Sequence, residues 1–293
     1  MIGGVLTFAK GHGTGNDFVI LPDPDGALRL SPRLVAALCD RHRGIGADGV
    51  LRVVRSAGHP DAAGQPAEWF MDYWNADGSA AEMCGNGVRV YARYLVDTGL
   101  APAGALAIAT RSGVVAVQVG PDEVAARLRA PRVYGHSTTR VGGDRYSGAS
   151  VDVGNPHLVC TLSDGLRELV ALDLSTSPEV SDVDFPAGVN VEFFAAAPVV
   201  SGCDAHVRMR VYERGSGETL SCGTGACAVA TVVLRGIGRD TGTVIVDVPG
   251  GRLRITVEPD GCWLAGPAVI VATGAVTRAA LGVALPAASP TPA

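Results

Sequence analysis

A mixed α/β (α+β) fold of two pseudo-symmetric domains, each a curled, mostly antiparallel sheet around a central buried helix, is predicted by three features of the 293-residue sequence. Short strand-like runs recur along the whole chain, many with period-2 alternation, as in Val207, Met209 and Val211 against Arg208, Arg210 and Tyr212. Two helix-like segments, 85–98 and 223–235, are apolar almost all round (VRVYARYLV and ACAVATVVL), the pattern of helices buried on every side. Landmarks also repeat at a nearly constant offset: Gly15-Asn16 returns as Gly154-Asn155 after 139 residues, and Cys84 returns as Cys222 after 138.

In chain order, strands are expected at 4–8, 18–21, 49–54, 68–74, 105–110, 114–119 and 125–129, then at 151–153, 158–162, 190–194, 205–212, 243–248, 252–257 and 262–265. A third helix is expected at 32–39. Gly120-Pro121 breaks the strand pattern, which places a domain boundary there: residues 1–120 form the first domain and 121–266 the second. A further strand at 267–272 follows the second repeat, and residues 267–278 are expected to return to the first domain. The run AALGVALPAASPTPA, 279–293, reads as a disordered tail.

Composition narrows the function. Hydrophobic residues make up 47% of the chain, enough for real cores. Net charge is −5 and no arginine-rich run appears, which argues against nucleic acid as a partner. No apolar run approaches a membrane span, and the first residues lack the charged-then-apolar order of a secretory signal, so a cytoplasmic location is the default. Seven cysteines without a CxxC pair, and scattered histidines, argue for free thiols and against a disulfide framework or a zinc site. Lys10 is the single lysine beside 23 arginines, and it lies outside any phosphate-loop pattern. A pyridoxal Schiff base needs a lysine at its site, and Lys10 is the single candidate, which argues against a pyridoxal mechanism.

The chemistry sits in two near-copies of one motif, Met83-Cys84-Gly85-Asn86-Gly87 and Ser221-Cys222-Gly223-Thr224-Gly225. Each opens an expected helix. Unpaired N–H groups and the helix dipole favour a thiolate there, so one of the two thiols is expected to have a lowered pKa and a nearby acid to keep the other protonated. Glycine after each cysteine lets the backbone approach a ligand, and the N–H groups of the next turn can cradle a carboxylate. Two thiols in matched contexts suggest proton transfer on both faces of one carbon, as in a racemase or epimerase. Asn75 stands nine residues before Cys84, as Glu213 does before Cys222. Asparagines at strand ends (Asn16, Asn155) could bind carboxylate and ammonium groups while staying neutral, and Glu213-Arg214 could hold the two ends of an amino acid.

These motifs together resemble the diaminopimelate epimerase family. The resemblance is carried by HGTGNDF at 12–18, RHRGIGADG at 41–49, NADGS at 75–79, CGNGVR at 84–89, GNPH at 154–157, VNV at 189–191, RVYERGSGET at 210–219, SCGTGACA at 221–228 and PGG at 249–251. It implies cofactor-free interconversion of LL- and meso-diaminopimelate, with Cys84 and Cys222 as thiolate base and thiol acid. It further implies substrate contacts from Asn16, Asn75, Gly85, Asn86, Asn155, Asn190, Glu213, Arg214, Gly223 and Thr224, protonation control by His157 and Glu213, and a homodimer. Two positions depart from the family pattern: Gly49, where many members carry Gln, and Ala272, where an aromatic residue often makes a dimer contact. Proline or hydroxyproline racemases, a phenazine-pathway isomerase, a non-catalytic amino-acid binding protein and a Cys84–Cys222 structural disulfide are the competing readings. Asn86 and the run from Glu213 to Glu218 favour the epimerase.

Overall fold

A computed structural model describes residues 4–283. The first half runs β1 (Val5–Gly13), β2 (Asn16–Pro22), α1 (Pro32–Cys39), β3 (Gly49–Arg55), β4 (Trp69–Asn75), α2 (Gly85–Asp97), β5 (Gly104–Thr110), β6 (Gly113–Val119) and β7 (Val124–Leu128). The second runs β8 (Arg132–Val141), β9 (Asp144–Asp152), β10 (Pro156–Thr161), α3 (Leu166–Ala171), β11 (Glu179–Val180), β12 (Asn190–Ala196), β13 (Ala205–Glu213), β14 (Gly217–Thr219), α4 (Gly223–Gly236), β15 (Gly242–Val248), β16 (Gly251–Glu258) and β17 (Gly261–Gly266). A final strand, β18 (Val269–Thr277), closes the order.

Strand pairing repeats the sequence offset. In the first half β18, β1, β2, β3, β4, β5, β6 and β7 are successive neighbours. In the second, β8, β9, β10, β12, β13, β15, β16 and β17 follow with the same alternation of senses. The four parallel pairings, β2–β3, β4–β5, β10–β12 and β13–β15, are each spanned by one helix. Parallel neighbours need such crossovers, and helix position then alternates between the two faces. α1 and α3 lie outside, against Val19, Leu21 and Val50 and against Leu158, Cys160 and Phe193. α2 and α4 lie inside the curl: α2 touches β1 through β7 and β18, and α4 touches β9, β10, β12, β13 and β15 to β17.

The inner helices explain their own composition. Val88, Val90, Tyr91, Ala92 and Leu95 are wholly buried in the first curl. Ala226, Cys227, Val229, Ala230 and Leu234 fill the second. Each of the larger side chains contributes about 1.5–3 kcal/mol on burial. The hydroxyl of Tyr91 donates to the Phe70 carbonyl at 2.8 Å, which removes the penalty of burying it. The two curls meet where β7 pairs antiparallel with β17.

Several expectations change. The break at Gly120-Pro121 is a turn within the ladder, with the Gly120 N–H donating to Glu123 O at 3.0 Å. β7 beyond it pairs with β6 as well as with β17. The last strand extends to Thr277 and pairs with β1. Chain order then persists through Val283, because Leu281 and Val283 pack on the outer cluster beside α1 and Gly282 O accepts from Arg33 at 3.1 Å. The rest of the expected tail, 284–293, lies outside the described residues. β8, unread in the sequence, pairs along its length with β9.

Candidate active site

Both cysteine motifs do what their sequences require of a helix start. Cys84 and Cys222 are the N-caps of α2 and α4, in extended backbone. Cys84 Sγ accepts the Gly87 N–H at 3.3 Å, satisfying one of the orphan donors of the first turn. Cys222 Sγ lies 3.5 Å from Thr224 Oγ1. All seven cysteines are free.

The helix starts abut. A Cβ on Gly85 would sit 2.8 Å from Leu264 Cδ2, and one on Gly223 would sit 2.7 Å from the same atom. The post-cysteine glycines are therefore explained first by packing: both ride on Leu264 of β17, and any side chain would lift a helix off the seam. Asn86 bridges the seam, its Nδ2 donating to Ser221 O at 3.1 Å and to Asn16 Oδ1 at 3.3 Å. Thr14 Oγ1 and Ser221 Oγ are 2.7 Å apart. Gly250 is fitted against the Thr14 carbonyl, where an added Cβ would overlap the oxygen at 1.8 Å.

Asn16 is oriented from behind. Its Nδ2 donates to Asp48 Oδ2 at 2.8 Å, so its oxygen faces the Cys84 thiol, which donates to it at 3.6 Å. Asp48 is itself held by Arg41, which also pairs with Asp17. An amide oxygen aimed at sulfur favours the thiol over the thiolate. Burial acts in the same direction and pushes Cys84 up to about 11, against the opposing backbone N–H groups of Gly87 and Asn86. Cys222 is likewise raised well above the ordinary thiol value, first by burial and then by the carboxylates of Glu213 and Glu192. The lowering expected from the helix starts is thus outweighed at both thiols: desolvation of an anion exceeds what a few N–H dipoles return.

Glu213 ends β13 beside Cys222. Burial raises its pKa, and hydrogen bonds from the Thr219 hydroxyl and the Cys222 thiol pull the other way. His157 is wholly buried, with Nδ1 2.7 Å from Glu192 Oε1 and Nε2 3.0 Å from Asn155 Oδ1. It stands with Glu192 in the half that carries Cys222, and its polar contacts go to Glu192 and Asn155 rather than to Cys84. Asn190 Oδ1 accepts the Arg214 N–H at 2.9 Å, fixing the turn that presents Glu213 and Arg214. The Arg214 guanidinium is exposed and donates to Ala187 O at 2.7 Å. Asn75 is bonded to Tyr73 OH at 2.9 Å and to Ser79 Oγ at 3.0 Å, rather than to either cysteine motif. At Gly49 a Cβ would lie 2.5 Å from the Trp74 carbonyl, so this position points no side chain toward a ligand.

Glu192 escaped the sequence reading. Its Oε1 lies 2.5 Å from where a Gly225 Cβ would be, directly under the first turn of α4, and Oε2 has no partner among the described residues. A glutamate at the centre of the apolar run Val191-Glu192-Phe193-Phe194, on the same strand face as Asn190, was the available signal.

The diaminopimelate epimerase family model matches residues 8–129 and 149–279. The diaminopimelate epimerase of Streptomyces coelicolor is 53% identical over 281 residues, covering 92% of this chain and 94% of that protein. The chain belongs to the diaminopimelate epimerase family. The diaminopimelate epimerase of Thermobifida fusca is 48% identical, covering 94% of this chain and 100% of its own length. Among solved structures, a phenazine biosynthesis protein from Bacillus anthracis superposes with TM-score 0.72 at 17% identity, covering 93% of this chain and 99% of that one. A hydroxyproline epimerase from Agrobacterium vitis gives 0.60 at 16% identity, covering 96% of each chain. At such identities the likeness is one of fold, which this branch of epimerases shares with proteins of other chemistry. No helix among the described residues is long and apolar enough to cross a membrane.

Proposed function

We propose that this chain interconverts LL- and meso-diaminopimelate, without a cofactor, by passing the α-proton between Cys84 and Cys222. The observation that carries this reading is the seam itself: two cysteines, each at the N-cap position of one of two abutting buried helices, with Asn86 tying the helix starts together. In one direction a Cys222 thiolate removes the α-proton and the Cys84 thiol returns one to the opposite face. The roles exchange in reverse. Negative charge developing on the α-carboxylate is met by N–H groups at both helix starts, the device available where no electron sink is present. Glu213, hydrogen-bonded by the Cys222 thiol, supports this reading as the group that takes the Cys222 proton when that thiol acts as base. Asn16, Asn75, Asn155, Asn190, Arg214 and Thr224 supply the substrate contacts.

The homodimer implied by the family resemblance is part of the proposal. β18 pairs on one side with β1, and Val269 and Val271 lie exposed on it. A place in lysine and cell-wall precursor synthesis in the cytoplasm follows from the same substrate.

The test is incubation with LL-diaminopimelate in deuterated water, followed by mass and chirality analysis, for the native chain, Cys84→Ala and Cys222→Ala. Deuterium at one α-carbon together with meso product is expected from the native chain alone. Turnover in either folded cysteine variant would overturn the two-thiol mechanism.

A further inference from the structure

Arg89 is wholly buried, one and a half turns along α2 from Cys84, and no carboxylate accepts from it among the described residues. Arginine is rarely buried without a charged partner, because an isolated ion loses its hydration and gains nothing equivalent. This one is deliberately seated. A Cβ on Gly266 would lie 2.8 Å from Nη1, and one on Gly13 would lie 3.2 Å from Nη2, so two glycines leave room for the guanidinium. Nη1 donates to Pro267 O at 2.9 Å, and Nη2 donates to Asn86 Oδ1 at 2.6 Å and to Thr14 Oγ1 at 3.4 Å, while Nε has no partner among the described residues. All the acceptors are neutral. Burial lowers its pKa to about 10, and the thiols of Cys84 and Cys227 with Glu123 are the acidic groups whose charge would favour its cation.

The consequences run toward the seam. Because Asn86 Oδ1 accepts from Arg89, its Nδ2 must face outward, where it meets Asn16 Oδ1 and Ser221 O. Asn16 Oδ1 in turn faces Cys84 Sγ. We infer that Arg89 is a positioning residue for the proposed epimerisation, an uncompensated buried cation that orients Asn86 and holds positive charge in reserve for the thiolate formed at Cys84. Among the described residues every acceptor of this cation is neutral. It finds its counter-ion when Cys84 gives up its proton, to solvent in the free protein or to the substrate α-carbon in turnover. The inference rests on the two-thiol reading for its role in catalysis, though its electrostatic part can be measured without turnover.

The experiment alkylates the folded native chain, Arg89→Gln and Arg89→Lys with iodoacetamide at one pH and follows the Cys84 peptide by mass spectrometry. In parallel, kcat and KM are measured with LL-diaminopimelate. Gln keeps a donor for Asn86 and drops the charge, whereas Lys keeps the charge. Cys84 is expected to react about tenfold more slowly in Arg89→Gln, the effect of one pKa unit, and within about threefold of native in Arg89→Lys. The loss of activity in Arg89→Gln should fall on kcat more than on KM and be largely recovered in Arg89→Lys. Equal Cys84 reactivity in native and Gln proteins, or equal slowing in Gln and Lys, overturns the inference. So does failure of both variants to fold, which would assign the guanidinium to stability. A native chain inert toward diaminopimelate would refute the proposed function, and the alkylation comparison would still decide Arg89.

Discussion

Replacing Gly223 with alanine tests whether the helix starts are set by packing on Leu264. The new methyl carbon would stand 2.7 Å from Leu264 Cδ2, about 1 Å inside the 3.5–4.0 Å at which two carbons attract. Leu264 is wholly buried, and its Cδ2 is also the atom that faces Gly85, so it cannot simply swing across the seam. Overpacking of this kind costs about 1–3 kcal/mol. Alanine recovers up to about 1 kcal/mol as a better helix former, which leaves a net loss of roughly 0–2 kcal/mol in urea unfolding. The strain falls on the residue next to Cys222. If the first turn of α4 absorbs most of the misfit, the thiol is displaced by several tenths of an ångström. With about 10²-fold attached to 1 Å of misplacement, kcat should fall by roughly tenfold or more. Adding Leu264→Ala makes room for the methyl, so the two substitutions should couple favourably by about 1 kcal/mol or more in a double-mutant cycle. Unfolding free energies that simply add, together with a native kcat in Gly223→Ala, would refute the packing explanation.

Two further perturbations follow from the charges. Glu192→Gln removes one of the two carboxylates that raise the Cys222 thiol, so the midpoint for alkylation of Cys222 should move to lower pH, and an unmoved or raised midpoint would show that Glu192 carries no charge in the folded protein. Asp17 is pushed up by burial but pulled down more by Arg41 and Lys10, to about 2 from 3.8. A folded value below the unfolded one means stability that is complete above about pH 3.8 and lost as pH falls through about 2. Asp17→Asn should therefore lower stability at neutral pH by about 1–2 kcal/mol, allowing for partial exposure, and flatten the acid limb of the urea midpoint; an unchanged limb would place the acid sensitivity elsewhere.

Much of the architecture was readable because it is written in apolar periodicity. The inner helices announce burial by being apolar all round, and the cysteine motifs mark both starts, as the N-caps at Cys84 and Cys222 show. β8 was not readable for a physical reason. Its inward positions are Ser137, Thr139 and Val141, so burial alternates where hydrophobicity does not. Arg89 and Glu192 were invisible for a related reason: a charged residue in an apolar run reads as surface until the structure shows what surrounds it. The lowered pKa expected at one thiol is not seen because a sequence displays the helix dipole and hides the depth of burial that opposes it. The glycine after each cysteine was read as room for ligand and is also, in the folded chain, room for one leucine.

The strand exchange at the ends of the repeats has a mechanical consequence. The chain passes between the two curls twice, through Arg129-Ala130-Pro131 after β7 and through Pro267-Ala268 after β17. Both connectors are short, both contain proline, and each delivers its next strand to the opposite half. The first half is therefore not a contiguous piece of polypeptide, since it joins β1–β7 to β18 across the whole second half, and cutting the chain before β18 would strip β1 of its outer neighbour. Relative movement of the halves would be a torsion about the β7–β17 pair, with both short connectors twisting together. The Pro267 carbonyl is the acceptor of Arg89 Nη1, so a twist at that connector is felt by the same guanidinium that orients Asn86. Closure over a substrate and alignment of the helix starts would then be one movement.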